Sequence, residues 1–236
     1  MRALVVVPTF NEAENIGLLI RALPADFDVL VVDDGSPDGT AGVAKQLDRG
    51  GVHVLERPAK AGLASAYVDG FQWALERDYG RIVQMDADLS HDPADAKRLL
   101  DVGADLVLGS RYIDGGGTRN WPLRRRLLSR FGSIYGRICL GLPQHDLTGG
   151  FKAWRASLLR RVIARPVASE GYAFQVEMTW RAAALGASIV EVPIVFTERT
   201  LGASKMSTQI ALEAAWRLPW LRLQGQPDMP LPGEVP

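Results

Sequence analysis

Arg81-Ile82-Val83-Gln84-Met85-Asp86-Ala87-Asp88-Leu89-Ser90-His91 is the stretch from which the rest of the chain can be read. A short apolar run of the kind used by a buried strand opens directly into two aspartates one residue apart. Residues i and i+2 of an extended chain point the same way, so Asp86 and Asp88 can converge on one cation at the strand's mouth. Unpaired, two such close carboxylates resist joint ionisation. A hard divalent ion held by one or two carboxylates, with substrate phosphates completing its shell, removes that penalty. Asp-x-Asp also occurs in plain surface turns, so its weight comes from its surroundings.

Upstream, Ala3 to Val7 is a valine-rich strand covered on both faces, ended by Pro8-Thr9-Phe10. Asn11 with Glu14 three residues on resembles a capping box, and Ile16, Leu19, Ile20 and Leu23 then recur at helical spacing until Pro24. Val29 to Val32 is a second strand, Asp33 to Gly39 a turn-rich loop and Thr40 to Leu47 a second helix. Val52 to Leu55 is a third strand, and the helix Leu63 to Leu75 follows a loop containing Lys60 and Gly62. Beyond the strand Arg81 to Met85 come a helix at Ala94 to Leu100 and a strand at Ala104 to Leu108. This alternation predicts an α/β fold with a mostly parallel central sheet, helices on both faces and right-handed crossovers. Ligands of such sheets sit at the carboxyl ends of the strands, where Pro8-Thr9, Asp33-Asp34 and Asp86-Ala87-Asp88 all fall.

The pattern changes after Leu108. Gly115-Gly116-Gly117 reads as a flexible loop, and no acidic residue occurs from Gly115 to His145. Within 119–140, arginines alternate with Leu123, Leu127, Leu128, Phe131, Ile134, Tyr135 and Ile138, which makes a basic amphipathic segment. It is either an arginine face on a core-packed helix or a contact with an anionic membrane surface. Phe151 to Arg155 then reads as a strand, Leu158 to Ile163 and Tyr172 to Leu185 as helices, and Ser188 to Phe196 as a strand. Ala211 to Leu223, with Trp216 and Trp220, is a last helix, and the proline-rich stretch 224–236 is expected to be disordered.

A length of 236 residues, 47% of them hydrophobic, fits one large domain, taken as residues 1–223. The 27 basic and 27 acidic residues cancel, which argues against a nucleic-acid partner. Cys139 is the single cysteine, so no internal disulfide can form. Met1-Arg2 leads straight into the first strand, and no apolar run approaches the roughly 20 residues that span a bilayer. The expectation is a cytoplasmic protein, peripheral on the inner face of the membrane.

Several stretches together carry a family resemblance: Pro8-Thr9-Phe10-Asn11-Glu12, Val32 to Thr40, Met85 to His91, Gly109-Ser110-Arg111-Tyr112, Asp146 to Lys152, Glu170 to Gln175, Glu191 to Ile194 and Arg199 to Lys205. In this order they resemble an inverting family-2 glycosyltransferase of the GT-A type, and within it the dolichyl-phosphate or polyprenyl-phosphate mannose synthases. The resemblance implies that Pro8, Phe10, Glu12, Val32 and Asp34 line a nucleoside pocket. It implies that Asp86, Ala87 and Asp88 meet the diphosphate, with Mg²⁺ or Mn²⁺ on Asp86 and Asp88. Arg111, Arg199 and Lys205 would bind phosphate groups, and Asp88 and Arg111 are the catalytic candidates. Family members often have Tyr in place of Phe10, and some have Gln in place of Ser90, which withdraws a hydroxyl and a metal-side contact here.

The implied partners are GDP-mannose as donor, polyprenyl phosphate as acceptor and the membrane surface. A phosphate acceptor is already anionic near neutral pH, so no general base is needed, and His91 and His145 read as structural or capping residues. Three alternatives compete: a UDP-glucose-dependent synthase, a sugar-1-phosphate nucleotidyltransferase and a non-catalytic lipid-phosphate-binding module. The second should carry a glycine-rich loop after the first strand, where Pro8-Thr9-Phe10-Asn11 stands instead, and the third has no need of the Asp86/Asp88 pair.

Overall fold

Strand β1 (Ala3–Thr9) is buried along nearly its whole length, as its unbroken apolar run requires. The computed structural model describes residues 2–198 and 208–223. After β1 come α1 (Ala13–Ala22), β2 (Phe27–Asp33), α2 (Thr40–Lys45), β3 (Val52–Glu56), α3 (Leu63–Leu75), β4 (Arg81–Gln84) and α4 (Asp95–Asp101). The chain continues through β5 (Leu106–Ser110), β6 (Gly117–Arg119), α5 (Leu123–Leu140), β7 (Lys152–Arg155) and α6 (Ala156–Val162). It closes with α7 (Gly171–Ala184), β8 (Ile189–Pro193), β9 (Val195–Thr197) and α8 (Thr208–Leu223). Seven strands form one sheet in the order β3-β2-β1-β4-β7-β5-β8. Its pairs are parallel except those of β7, which runs antiparallel between β4 and β5.

Alternation along the strands divides the core between the two faces. Val5, Val7, Val29 and Val31 pack with Ile16, Leu19 and Ile20 of α1, whereas Leu4, Val6, Leu30 and Val32 pack with Tyr67 and Phe71 of α3 and Phe174 and Met178 of α7. Each such aliphatic side chain, fully buried, contributes about 1.5–3 kcal/mol. With the carboxyl ends of β1, β2 and β4 aligned by parallel pairing, the loops after Thr9, Asp33 and Gln84 meet at one edge.

The structure corrects three local expectations. Asn11 does not cap α1: it sits in the left-handed region at φ 58°, and no side chain of the N-cap residue Glu12 closes the turn. The exposed amides are satisfied from the loop after β2. Ser36 Oγ accepts from Asn11 N, Thr40 Oγ1 from Glu12 N and Asp38 Oδ2 from Ala13 N, each at 3.0 Å. Second, Ser188 to Phe196 is not one strand, because Pro193 ends the ladder of β8 and β9 pairs instead with β6 in a separate two-stranded sheet. Gly117, expected in a flexible loop, opens β6 and donates to Ile194 O at 3.0 Å.

Of the two readings left open for the 119–140 segment, α5 departs from a helix whose apolar stripe is buried in the core. Its buried side is Ser129, Ser133 and Gly136, while Leu123, Leu127, Phe131, Ile134 and Ile138 are exposed. A Cβ at Gly136 would lie 3.2 Å from Leu147 Cδ1 and 3.3 Å from Val176 Cγ1, so the helix seats there through its smallest residue. In α8, Leu218 and Leu221 join the same small core, and Trp216, Trp220 and Leu223 face outward. Among the described residues no helix is long and apolar enough to cross a membrane. Arg199, Lys205 and the stretch 224–236 lie outside the described residues.

Candidate functional site

A groove of about 200 Å³ opens at the aligned strand ends, and Pro8, Phe10, Glu12, Asp34, Asp86, Ala87 and Asp88 all line it. Val32 does not: it is fully buried, because strand alternation turns it under α3 while its neighbour Asp33 faces the other way. Asp33 is spent on the turn, accepting from Thr9 Oγ1, Ser36 N and Ser36 Oγ at 2.9, 2.9 and 2.6 Å. Asp34 accepts from Arg57 Nη1 at 2.6 Å and from Ala61 N at 3.3 Å. Arg57 also reaches Ser65 Oγ and Asp69, and so ties the loop before α3 to the end of β2. On that loop Lys60 Nζ stands 4.4 Å above the ring of Phe10, bringing positive charge to a wall of carboxylates.

Asp86 and Asp88 both face the groove, as their spacing predicts. Leu89 is in the left-handed region at φ 57°, and the turn there lets Ser90 N donate to Asp88 Oδ1 at 3.1 Å. Tyr67, from α3, donates to Asp86 Oδ1 at 2.9 Å. Two carboxylates are hard oxygen donors suited to Mg²⁺ or Mn²⁺, and among the described residues no cluster of three His, Cys, Asp or Glu side chains could enclose a metal on its own. An ion there needs further oxygens from a phosphate ligand and water, which fits the donor set.

Arg111 lies just past β5 but does not present its fork to the groove. Its N and Nε donate to Asp146 Oδ2 at 2.9 and 2.7 Å, and its Nη2 donates to Asp146 Oδ1 at 2.7 Å and Thr148 Oγ1 at 3.0 Å. The two side chains are 4% and 0% exposed, ringed by Tyr112, Trp121 and Phe196. Burial alone would lower the pKa of Arg111 and raise that of Asp146. Their mutual attraction and hydrogen bonds win in both, so Arg111 is raised and Asp146 lies below the usual carboxylate range.

Residues 4–163 match the family described as Glycosyl transferase family 2. The chain belongs to this family. It is 48% identical to the polyprenol monophosphomannose synthase of Mycolicibacterium smegmatis, over 96% of this chain and 89% of that one. It is 51% identical to the undecaprenyl-phosphate mannosyltransferase of Micrococcus luteus, over 91% of each. Among solved structures it resembles glucosyl-3-phosphoglycerate synthase from Mycobacterium tuberculosis in complex with Mn²⁺, UDP-glucose and phosphoglyceric acid, with TM-score 0.68, 20% identity and coverage of 96% and 81% of the two chains. That likeness shows the shared α/β fold.

In this family 2 glycosyltransferase the two histidines named above have structural surroundings. His91 is buried against Phe151 and Phe196, with ring centroids at 4.9 and 5.0 Å, and burial pushes its pKa down to about 4, which keeps it neutral. His145 is half exposed and pairs through Nδ1 with Glu191 Oε2 at 3.0 Å. Sequence reasoning missed Tyr67, Arg57 and Lys152. Lys152 is fully buried, donates to Gln175 O at 2.7 Å and Thr179 Oγ1 at 3.0 Å, and is pushed down to about 7 by burial that Asp146 only partly offsets. Tyr67 and Lys152 sit inside runs that read simply as an amphipathic helix and a strand. Arg57 had one available signal, a lone basic residue immediately after a strand that pairs beside Asp34.

Proposed function

We propose that this glycosyltransferase moves mannose from GDP-mannose to the phosphate of a polyprenyl phosphate, with inversion at the anomeric carbon. The observation that carries the reading is that two relatives, matched over nine-tenths of the chain at about half identity, both bear names of polyprenyl-phosphate mannose transfer. The groove agrees with it. Pro8, Phe10, Glu12 and Asp34 would hold a nucleoside and Asp86, Ala87 and Asp88 would meet its diphosphate, a reading supported by all seven lining one groove. Asp86 and Asp88 would hold Mg²⁺ or Mn²⁺, whose charge offsets that developing on the leaving diphosphate.

The acceptor phosphate oxygen forms a bond to the anomeric carbon as the bond from that carbon to the diphosphate breaks, and the nucleoside diphosphate leaves with the electron pair. No proton has to move, because the acceptor phosphate is already anionic near neutral pH. The protein's task is to hold the two anions in line and offset their repulsion. Lys60 serves the donor side. Arg111, Arg199 and Lys205 are assigned to phosphate by resemblance, and Asp146 fixes the Arg111 fork.

A polyprenyl chain leaves only its phosphate at the bilayer surface, so the catalytic unit, residues 1–223, must dock there. The outward apolar face of α5, with Arg124 and Arg126 exposed beside it, and Trp216 and Trp220 of α8 fit that task on the cytoplasmic face. Arg125 is excluded from it, because its guanidinium pairs with Glu198 and packs over Trp121. The test is incubation with labelled GDP-mannose or UDP-glucose and polyprenyl phosphate, with and without Mg²⁺, followed by lipid extraction. Metal-dependent label in lipid from GDP-mannose is expected, label from UDP-glucose alone would reassign the donor, and label from neither would sink the reading.

A further inference from the structure

Asp86 is held by a side chain that the transfer reaction does not itself call for. Tyr67 is fully buried on α3, and its hydroxyl donates to Asp86 Oδ1 at 2.9 Å. Its ring is stacked on Phe71 and Phe174, with centroids at 5.7 and 5.9 Å and interplanar angles of 24° and 10°, which prevents it from swinging away. On the other side of the carboxylate, a Cβ at Gly150 would come 3.2 Å from Asp86 Oδ2, so backbone closes against it there. Beneath Tyr67 a buried polar chain is also closed: Gln84 Nε2 donates to Gln175 Oε1 at 2.8 Å, and Trp154 Nε1 donates to Gln84 Oε1 at 3.3 Å.

Asp88 is set by its own turn, through a bond two residues away, whereas Asp86 is set from a different element, 19 residues upstream. The two carboxylates can meet one cation only if both are aimed before it arrives, and a short side chain at a groove mouth has other rotamers to visit. We propose that Tyr67 is a positioning residue for metal binding: it locks Asp86 in the orientation that shares an ion with Asp88. Partners of metal-ligating side chains typically change metal affinity by about 10–100-fold when removed.

The inference rests on the assignment of the ion to Asp86 and Asp88, and its test separates the two. Mn²⁺ binding to the full chain, with and without GDP, is followed by the loss of the free-ion paramagnetic resonance signal in the parent, Tyr67→Phe and Asp88→Asn. Tyr67→Phe keeps the ring and its stacking and removes only the hydroxyl. The expected result is a Kd for Mn²⁺ raised about 10-fold or more in Tyr67→Phe. The Mg²⁺ concentration giving half-maximal turnover should rise in parallel, with turnover largely restored at saturating metal, and Asp88→Asn should lose binding. A Tyr67→Phe variant that melts lower but binds Mn²⁺ within twofold of the parent would show that the hydroxyl only supports the fold, and overturn the proposal. Parental Mn²⁺ binding by Asp88→Asn would overturn the metal assignment, and the role of Tyr67 with it.

Discussion

Replacing Asp146 by Asn tests the buried pair directly. Asp146 accepts three bonds from Arg111, and the side chains are 4% and 0% exposed, so the substitution strands a guanidinium with no water to take over. The amide also turns one acceptor oxygen into a donor facing other donors. Breaking a buried pair from one side costs about 3–5 kcal/mol. That is a loss of about 150- to 4000-fold in the folding equilibrium, or roughly 6–20 °C in Tm for a chain of this size. Removing both charges, as in Arg111→Met with Asp146→Leu, should recover most of the loss, because buried pairs are often replaceable by apolar residues of similar volume. Thr148 Oγ1, which loses its Arg111 donor in that variant, retains Ser129 Oγ and Ser133 Oγ at 3.2 and 3.3 Å. Urea unfolding of parent, single and double variants completes the cycle. A cost below about 1 kcal/mol for Asp146→Asn, or a double variant as unstable as the single one, would refute the argument that an uncompensated charge is the cause. Turnover of the folded double variant then decides the remaining question about Arg111: loss of activity places its charge in the reaction, and retention leaves it a structural strut.

Lys152 should make stability depend on pH. Its amine titrates at about 7 in the folded chain and near 10.4 when unfolded, so between these values the unfolded chain binds a proton the folded one lacks. The charge penalty is complete below pH 7 and is relieved as pH rises, so the stability of the parent relative to Lys152→Met should improve from pH 7 to 9; parallel urea curves would exclude this. Asp88→Asn should abolish metal-dependent turnover without lowering Tm, since it removes one of two neighbouring carboxylates, and full activity in that variant would misplace the site. Arg124→Glu with Arg126→Glu should weaken binding to anionic vesicles about tenfold or more, on the basis of roughly 1 kcal/mol per basic residue at such a surface, while leaving nucleotide affinity unchanged. Equal binding of parent and variant at low salt would remove α5 from the membrane face.

Much of this protein is written locally. The apolar runs of β1, β2 and β4 mark buried strands, the helix Leu63–Leu75 appears with the bounds its periodicity predicts, and the i, i+2 spacing of Asp86 and Asp88 delivers both to the groove. These features depend on residues a turn or a pleat apart, and such spacing survives in a linear string. What the string does not carry is which face meets which neighbour. The apolar residues of α5 fit either a core-facing stripe or a membrane contact, and only packing shows that the buried side is Ser129, Ser133 and Gly136, where a Cβ at Gly136 would crowd Leu147 and Val176. The N-terminus of α1 is capped from residues 36–40, Tyr67 reaches Asp86 from 19 positions away, and Gln84 meets Gln175 across 91. Val32 and Lys152 follow the same rule, since alternation gives each a side of its strand but only the helix packed there decides that both are buried. The nature of the site is therefore local chemistry at strand ends, and its rigidity is a property of long-range packing.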